Sequence, residues 1–189
     1  MTKSELRHKY LELRKTLSND EVLSYSKQIF EQFIKTFDPK RNQKVHLFQS
    51  IAKFKEVDTG FFISYFLENE IRVFVPKMVG DNLISIELHK ETPMALNSWG
   101  ILEPESTIDS GEKDFDFVLT PLLYCDTLGN RIGYGKGFYD RFFTSLLGET
   151  KKVGVGFFDP AEPINDVYES DVALDYLVTP REVLSFIGV

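Results

Sequence analysis

Apolar residues recur at helical spacing from the start of the chain. Leu6, Tyr10, Leu13 and Leu17 form one stripe, and Thr2 with Glu5 fits a capping box, so the pattern predicts a helix over residues 4–17. Its other face carries Lys3, Arg7, Arg14 and Lys15. Ser18 and Glu21 form a second capping box, opening a helix with the stripe Val22, Tyr25, Ile29, Phe33 and Phe37 that Asp38-Pro39 closes. The pattern then alternates: a strand at 45–48, a Phe- and Tyr-rich helix at 59–68 and a strand at 71–75 stopped by Pro76, together a βαβ unit. Gly80-Asp81-Asn82 is a turn leading to a strand at 83–88. Residues 115–119, broken by Thr120-Pro121, are nearly all apolar and suit a sheet covered on both faces. Tyr139, Phe142, Phe143, Leu146 and Leu147 define a helix ended by Gly148, and 153–157 and 176–178 supply later strands.

Strands separated by helical stretches predict an α/β fold. The expected architecture is a three-layer α/β/α sandwich with a largely parallel central sheet, preceded by two N-terminal helices, in a single domain over 1–189. Ligands of such sheets gather beyond the carboxyl ends of the strands, where the segment after Phe48, the loop after Leu119 and Asp171 fall.

Charge narrows the partners. With 29 acidic and 22 basic residues the net charge is −7, and the basic residues are scattered, which speaks against a nucleic-acid partner. The apolar run 61–67 already contains Ser64 and falls far short of the roughly 18–20 residues of a membrane span, so no membrane partner is expected. The N-terminus is charged from its third residue with no apolar stretch after it, which makes the cytoplasm the expected compartment. Cys125 is the only cysteine and reads as a small core residue; His8, His46 and His89 show no zinc-site spacing.

The stretch 126–141 carries the chemistry. Gly133, Gly135 and Gly137 alternate, which lets the backbone approach a ligand and turn N–H groups toward it, while Arg131 and Lys136 add positive charge. A helix beginning near Phe138 adds its dipole, completing a phosphate cradle. The competing reading is a flexible connector, and the company of Arg131, Lys136 and Asp140 favours the cradle. Two nucleotide motifs are absent: Lys136 is followed by Gly137, so there is no Walker A loop, and the glycines are spaced G-x-G-x-G, which is not the dinucleotide fingerprint.

Lys3-x-x-x-Arg7, Trp99-x-Ile101-x-Glu103-Pro104, Asp116-x-Val118-x-x-Pro121 and above all residues 129–140 (GNRIGYGKGFYD) together resemble the 5-formyltetrahydrofolate cyclo-ligase family, also called methenyltetrahydrofolate synthetases, from Lys3 to about Pro180. The resemblance implies closure of 5-formyltetrahydrofolate to 5,10-methenyltetrahydrofolate with ATP and Mg²⁺, releasing ADP and phosphate. The formyl oxygen would be phosphorylated and N10 would attack the activated carbon. By position, it implies that Lys3 and Arg7 contact ATP, and that Arg131, Ile132, Gly133, Tyr134, Gly135, Lys136, Gly137, Phe138 and Tyr139 wrap its phosphates. Arg131, Lys136 and Tyr139 would be catalytic, with Lys136 nearest the transferred group, and Asp140 and Asp171 would hold magnesium. Glu56 would bind the folate, with an apolar contact from Ile51 or alternatively Gln49, and Trp99 would stack on an aromatic ring of the substrate or pack in the core. Tyr134 stands where family members carry Arg, Phe138 where Tyr is frequent, and Phe157-Phe158-Asp159-Pro160 where a glutamine often follows the strand. The expected partners are the two small-molecule substrates, with the chain a monomer or weak homodimer. A sugar-phosphate isomerase or CoA-transferase relative and a ligand-sensing module are the competing classes, and ATP consumption separates them from the ligase.

Overall fold

The computed structural model describes residues 1–80, 82–98 and 100–188. Helix α1 (Lys3–Thr16) and helix α2 (Asn19–Phe37) both open on the predicted capping boxes, Thr2 with Glu5 and Ser18 with Glu21. α2 ends where Asp38 adopts the left-handed conformation, φ 41°. Strand β1 (Lys44–Leu47), helix α3 (Gly60–Glu68) and strand β2 (Arg72–Val79) form the expected parallel βαβ unit, with Lys44 opposite Arg72. A 3-10 turn at Ala52–Phe54 lies between β1 and α3.

The sequence pattern predicts that this strand stops at Pro76, but β2 runs through Pro76 to Val79. Its β1 neighbour ends its pairing at Phe74, while strand β3 (Asn82–Leu88) pairs antiparallel with it out to Val79. On a segment paired along one side only, a missing N–H breaks no ladder. The hairpin of β4 (Met94–Leu96) and β5 (Leu102–Pro104) follows. β6 (Phe117–Pro121) starts and ends two residues later than its apolar run suggests, because its register is set by β1 (Val45 opposite Phe117) and by β9 (Pro121 opposite Val155). A short antiparallel pair, β7 (Tyr124–Cys125) and β8 (Arg131–Ile132), brackets a tight turn and leads into helix α4 (Phe138–Ser145). β9 (Lys151–Val155), β10 (Tyr176–Val178) and β11 (Val183–Ser185) complete the chain, with β11 an antiparallel edge that the sequence pattern does not reveal.

The seven-stranded sheet has the order β11-β10-β9-β6-β1-β2-β3, parallel from β10 to β2. Alternation along β1 separates its faces. Val45 and Leu47 join Phe33, Phe62 and Phe66 of α2 and α3 on one side, and His46 meets Phe115 and Phe142 on the other, under α4. The sandwich is therefore three-layered, as expected. Phe33 binds its layer through edge-on contacts to Phe62, Phe66 and Phe117 at 5.5, 6.1 and 5.6 Å. α1 stands outside the two helical layers. It packs Leu6 and Tyr10 on Tyr124 and Ile132, with Tyr10 stacked on Tyr124 at 4.2 Å. Among the described residues no helix is long and apolar enough to cross a membrane.

Candidate functional site

From β1 the chain proceeds to β2 on one side, while β6, β9 and β10 build out on the other. The carboxyl ends of β1 and β6 therefore flank the point where the winding reverses, the usual place for a ligand in such a sheet. A cleft of about 600 Å³ opens beyond the end of β6 at Pro121, walled by Lys3 and Arg7 of α1, the loop 133–137, the start of α4, and Asp171.

The loop is shaped by its glycines at two positions. Gly135 has φ +83°, and a Cβ there would lie 3.3 Å from the Arg7 guanidinium, so only glycine lets that cation lie flat against the loop. Gly137 precedes α4 in the left-handed region, φ 65°, with no side chain capping the helix start. Arg7 is aimed by a bond from its Nε to the Gly133 carbonyl, 2.9 Å. Lys136 is exposed.

Two ion pairs frame the cleft. Arg131, whose side chain is 7% exposed, donates to Asp140 at 2.7 Å and to the Val172 carbonyl, and lies 4.9 Å from the Phe143 ring centroid. Lys3 pairs with Asp171, whose carboxylate also accepts the Tyr168 N–H at 2.6 Å. Each acid thus spends one oxygen inside the protein, and the other takes no protein hydrogen bond among the described residues. Two hard carboxylates on one wall suit an ion such as Mg²⁺, which takes one or two carboxylates and completes its shell with phosphates and water. Among the described residues no group of three or more His, Cys, Asp or Glu gathers at one point, so the chain by itself offers no closed metal cage. The Tyr139 hydroxyl is buried without a hydrogen-bond partner, and burial together with the Glu56 charge pushes its pKa up, so it stays a donor lacking an acceptor. A nucleotide triphosphate fits this set: several cations, backbone free to approach it, and an unspent donor.

Of the residues named for the folate from sequence, Glu56 and Ile51 lie beside the tip of the loop that walls this cleft. Glu56 is buried, with Oε2 accepting the Ile51 N–H at 2.8 Å and Oε1 accepting the Tyr134 hydroxyl at 2.8 Å. Burial pushes its carboxyl up, against the pull of the Ile51 N–H, the Tyr134 hydroxyl and the Arg14 charge. A narrow void beside it, about 10 Å³, lies between Arg14, Phe48 and Phe157 at the strand ends. Gln49, the alternative to Ile51, has a buried Oε1 without a partner.

Most of the expected nucleotide residues therefore converge on one cleft. Ile132 is not part of the cleft, because its side chain is core, packed with Leu6 and Tyr10. Trp99 lies outside the described residues. Arg14 is the residue that sequence reasoning missed. Its place on the cationic stripe of α1 suggests a solvated charge, yet it is 4% exposed and donates to Tyr134. The available signal is the seven-residue step from Arg7, which returns to the same helical face.

Comparison with known proteins places the fold and the family. The chain is 29% identical over 184 residues to a probable 5-formyltetrahydrofolate cyclo-ligase of Schizosaccharomyces pombe, covering 89% of this chain and 90% of that one. The solution structure of Aquifex aeolicus 5,10-methenyltetrahydrofolate synthetase superposes with a TM-score of 0.81 at 29% identity, covering 100% of this chain and 95% of that one. The Mycoplasma pneumoniae 5,10-methenyltetrahydrofolate synthetase superposes with a TM-score of 0.71 at 27% identity, over 95% and 99% of the two chains. The sequence profile of the 5-formyltetrahydrofolate cyclo-ligase family matches residues 1–180, and the chain belongs to that family of ligases.

Proposed function

We propose that this chain closes 5-formyltetrahydrofolate to 5,10-methenyltetrahydrofolate, consuming ATP in the presence of Mg²⁺. The observation that carries this reading is the position of the glycine loop. Its backbone lines the cationic cleft, while Tyr134 at its tip touches Glu56, so a phosphate held on one side of the loop adjoins a substrate held on the other.

The chemistry explains the need for two adjoining sites. The N5-formyl group is an amide, with a weakly electrophilic carbon and a poor leaving oxygen. Transfer of a phosphoryl group to that oxygen removes both obstacles, and attack by N10 then expels phosphate as the ring closes. Such a transfer asks the protein mainly for positioning and charge stabilisation. Lys3, Arg7 and Lys136 would offset the polyphosphate charge. Arg131, locked by Asp140 and the Val172 carbonyl, would present a guanidinium that needs no reorganisation. Tyr139 would donate its unspent proton to a phosphate oxygen. Asp140 and Asp171 would hold magnesium, which when bound spreads the phosphate charge. Glu56 would accept the N–H donors of the reduced pterin, with Ile51 alongside. In this reading Lys136, Arg131 and Tyr139 are the catalytic groups.

The test is the absorbance of the methenyl product in a mixture of purified protein, 5-formyltetrahydrofolate and Mg²⁺, with and without ATP. Product only in the presence of ATP is the expected result; folded protein that gives no product, or product without ATP, overturns the reading.

A further inference from the structure

Helix α1 carries Lys3, Arg7 and Arg14 along one stripe, four and seven residues apart. At 1.5 Å per residue the three span roughly 16 Å. Lys3 and Arg7 wall the nucleotide cleft, whereas Arg14 lies beyond it beside the narrow void at the strand ends. A guanidinium that is 4% exposed is costly to bury, and an apolar side chain would fill the same place without that cost. Its presence there calls for a reason.

Among the described residues Arg14 has no carboxylate within ion-pair distance. Nη2 donates to the Tyr134 hydroxyl, and the guanidinium lies 5.6 Å from that ring's centroid. The hydroxyl passes the polarity on by donating to Glu56 Oε1 at 2.8 Å. With a cation donating to its oxygen, the phenol keeps its proton directed at the carboxylate. The Ile51 N–H holds Oε2 at 2.8 Å. Lys55, next to Glu56 in sequence, donates from Nζ to the Lys15 carbonyl at 2.8 Å and to the Leu17 carbonyl at 2.5 Å, tying the segment that carries the acid to the end of α1. The groups facing Glu56 are thus Arg14 from α1, Tyr134 from the glycine loop, the Ile51 N–H, and the phenol of Tyr139 from α4, which feels the Glu56 charge.

We propose that Arg14 is a positioning residue of the folate subsite. Acting through the Tyr134 hydroxyl, it holds Glu56 as an aimed carboxylate for the N–H donors of a reduced pterin, and makes the tip of the glycine loop a wall common to both ligands. The inference rests on the function proposed above.

The test compares Tyr134→Phe, Arg14→Met, Arg14→Lys and the double variant Arg14→Met/Tyr134→Phe. The readouts are KM for 5-formyltetrahydrofolate and for ATP, the pH profile of kcat/KM for the folate, calorimetric binding of 5-formyltetrahydrofolate without ATP, and urea unfolding. Tyr134→Phe removes one hydroxyl and keeps the ring, so it tests the relay even where an Arg14 variant fails to fold. The expected result is a roughly tenfold loss of folate affinity in Tyr134→Phe and in Arg14→Met, the scale of one charge-assisted hydrogen bond. KM for ATP should change less than KM for the folate, and the acidic limb of the folate profile should move to higher pH. The double variant should be no worse than the worse single, and Arg14→Lys should recover part of the loss. Unchanged folate affinity in Tyr134→Phe, equal losses for both substrates, or additive losses in the double variant overturn the proposal. Wild-type protein that binds the folate yet forms no product removes the catalytic reading while the binding series still decides the role of Arg14; wild-type protein that does neither removes both.

Discussion

Arg131 and Asp140 are joined at 2.7 Å across the glycine loop, Arg131 at its entrance in β8 and Asp140 in the first turn of α4. The pair fixes both ends of the segment whose middle has to approach the phosphates. The Val172 N–H donates to the same Asp140 oxygen at 3.1 Å, and the Val172 carbonyl accepts from Arg131, so the backbone at Val172 is drawn into one bracket with the loop. The acid proposed for magnesium therefore also maintains the shape of the loop.

Replacing Arg131 by Lys should expose that double duty. An ammonium is a point charge and cannot hold the carboxylate and the carbonyl in one planar fork. Arg131→Lys is expected to lose about 2 kcal/mol of stability, the scale of a charge-assisted hydrogen bond in a buried setting, seen as a lower urea midpoint with unchanged slope. Its kcat should fall along with the midpoint. An unaltered midpoint would remove the bracket from the account of the loop.

Lys136 should behave in the opposite way. It is exposed, and among the described residues its ammonium makes no hydrogen bond or ion pair, while its carbonyl accepts from Arg141 at 3.1 Å. Lys136→Ala is expected to leave the unfolding midpoint unchanged and to lower kcat about 10²- to 10³-fold, the range for removing one electrostatic stabiliser of a transition state. Near-normal turnover in that variant would remove Lys136 from the catalytic group.

Gly135 gives a third, separable effect. A methyl group there meets the Arg7 guanidinium at 3.3 Å, and the φ of +83° is one that alanine resists. Gly135→Ala should cost about 1 kcal/mol of stability from backbone strain alone and raise KM for ATP, because either the loop or Arg7 has to move. The measurement is the pair of KM values. A rise confined to the folate would place the loop's contact differently.

How much of this was legible in the sequence depends on what sets each feature. The two capping boxes are local, and both helices begin where Thr2 and Ser18 predict. The βαβ unit followed from the change of period between Val45 and Val75, and the cleft from three alternating glycines flanked by cations. Strand ends were less legible, since Pro76 and Pro121 are tolerated according to which neighbour strand is present beside them, and that is a property of the sheet. The burial of Arg14 was not legible either. Its partner Tyr134 lies 120 residues away, and a cation on a helix stripe reads as solvated until the loop that covers it is in place.

His46 supplies a stability prediction apart from the active site. It sits on β1 with 0% exposure, tilted against Phe142 at 4.5 Å and edge-on to Phe115 at 5.3 Å, and neither ring nitrogen has a hydrogen-bond partner. Burial alone pushes its pKa down from 6.5 to about 3. The folded protein therefore keeps the imidazole neutral, while the unfolded chain takes up a proton as soon as the pH falls below 6.5. The stability associated with neutral His46 is complete above that pH and is lost progressively between it and about 3, with a slope of up to about 1.4 kcal/mol per pH unit. His46→Leu removes this slope. Carboxylates contribute their own acid dependence to both proteins, so the quantity to measure is the difference in urea unfolding free energy between wild type and variant at pH 7, 6, 5 and 4. At pH 7 the variant should be equal or more stable, because an apolar side chain leaves no nitrogen unpaired among the phenylalanines. Below pH 6 its advantage should widen with each step. A constant difference across the series would mean that His46 finds a proton partner in the folded protein, and the burial argument for this face of the sheet would fall.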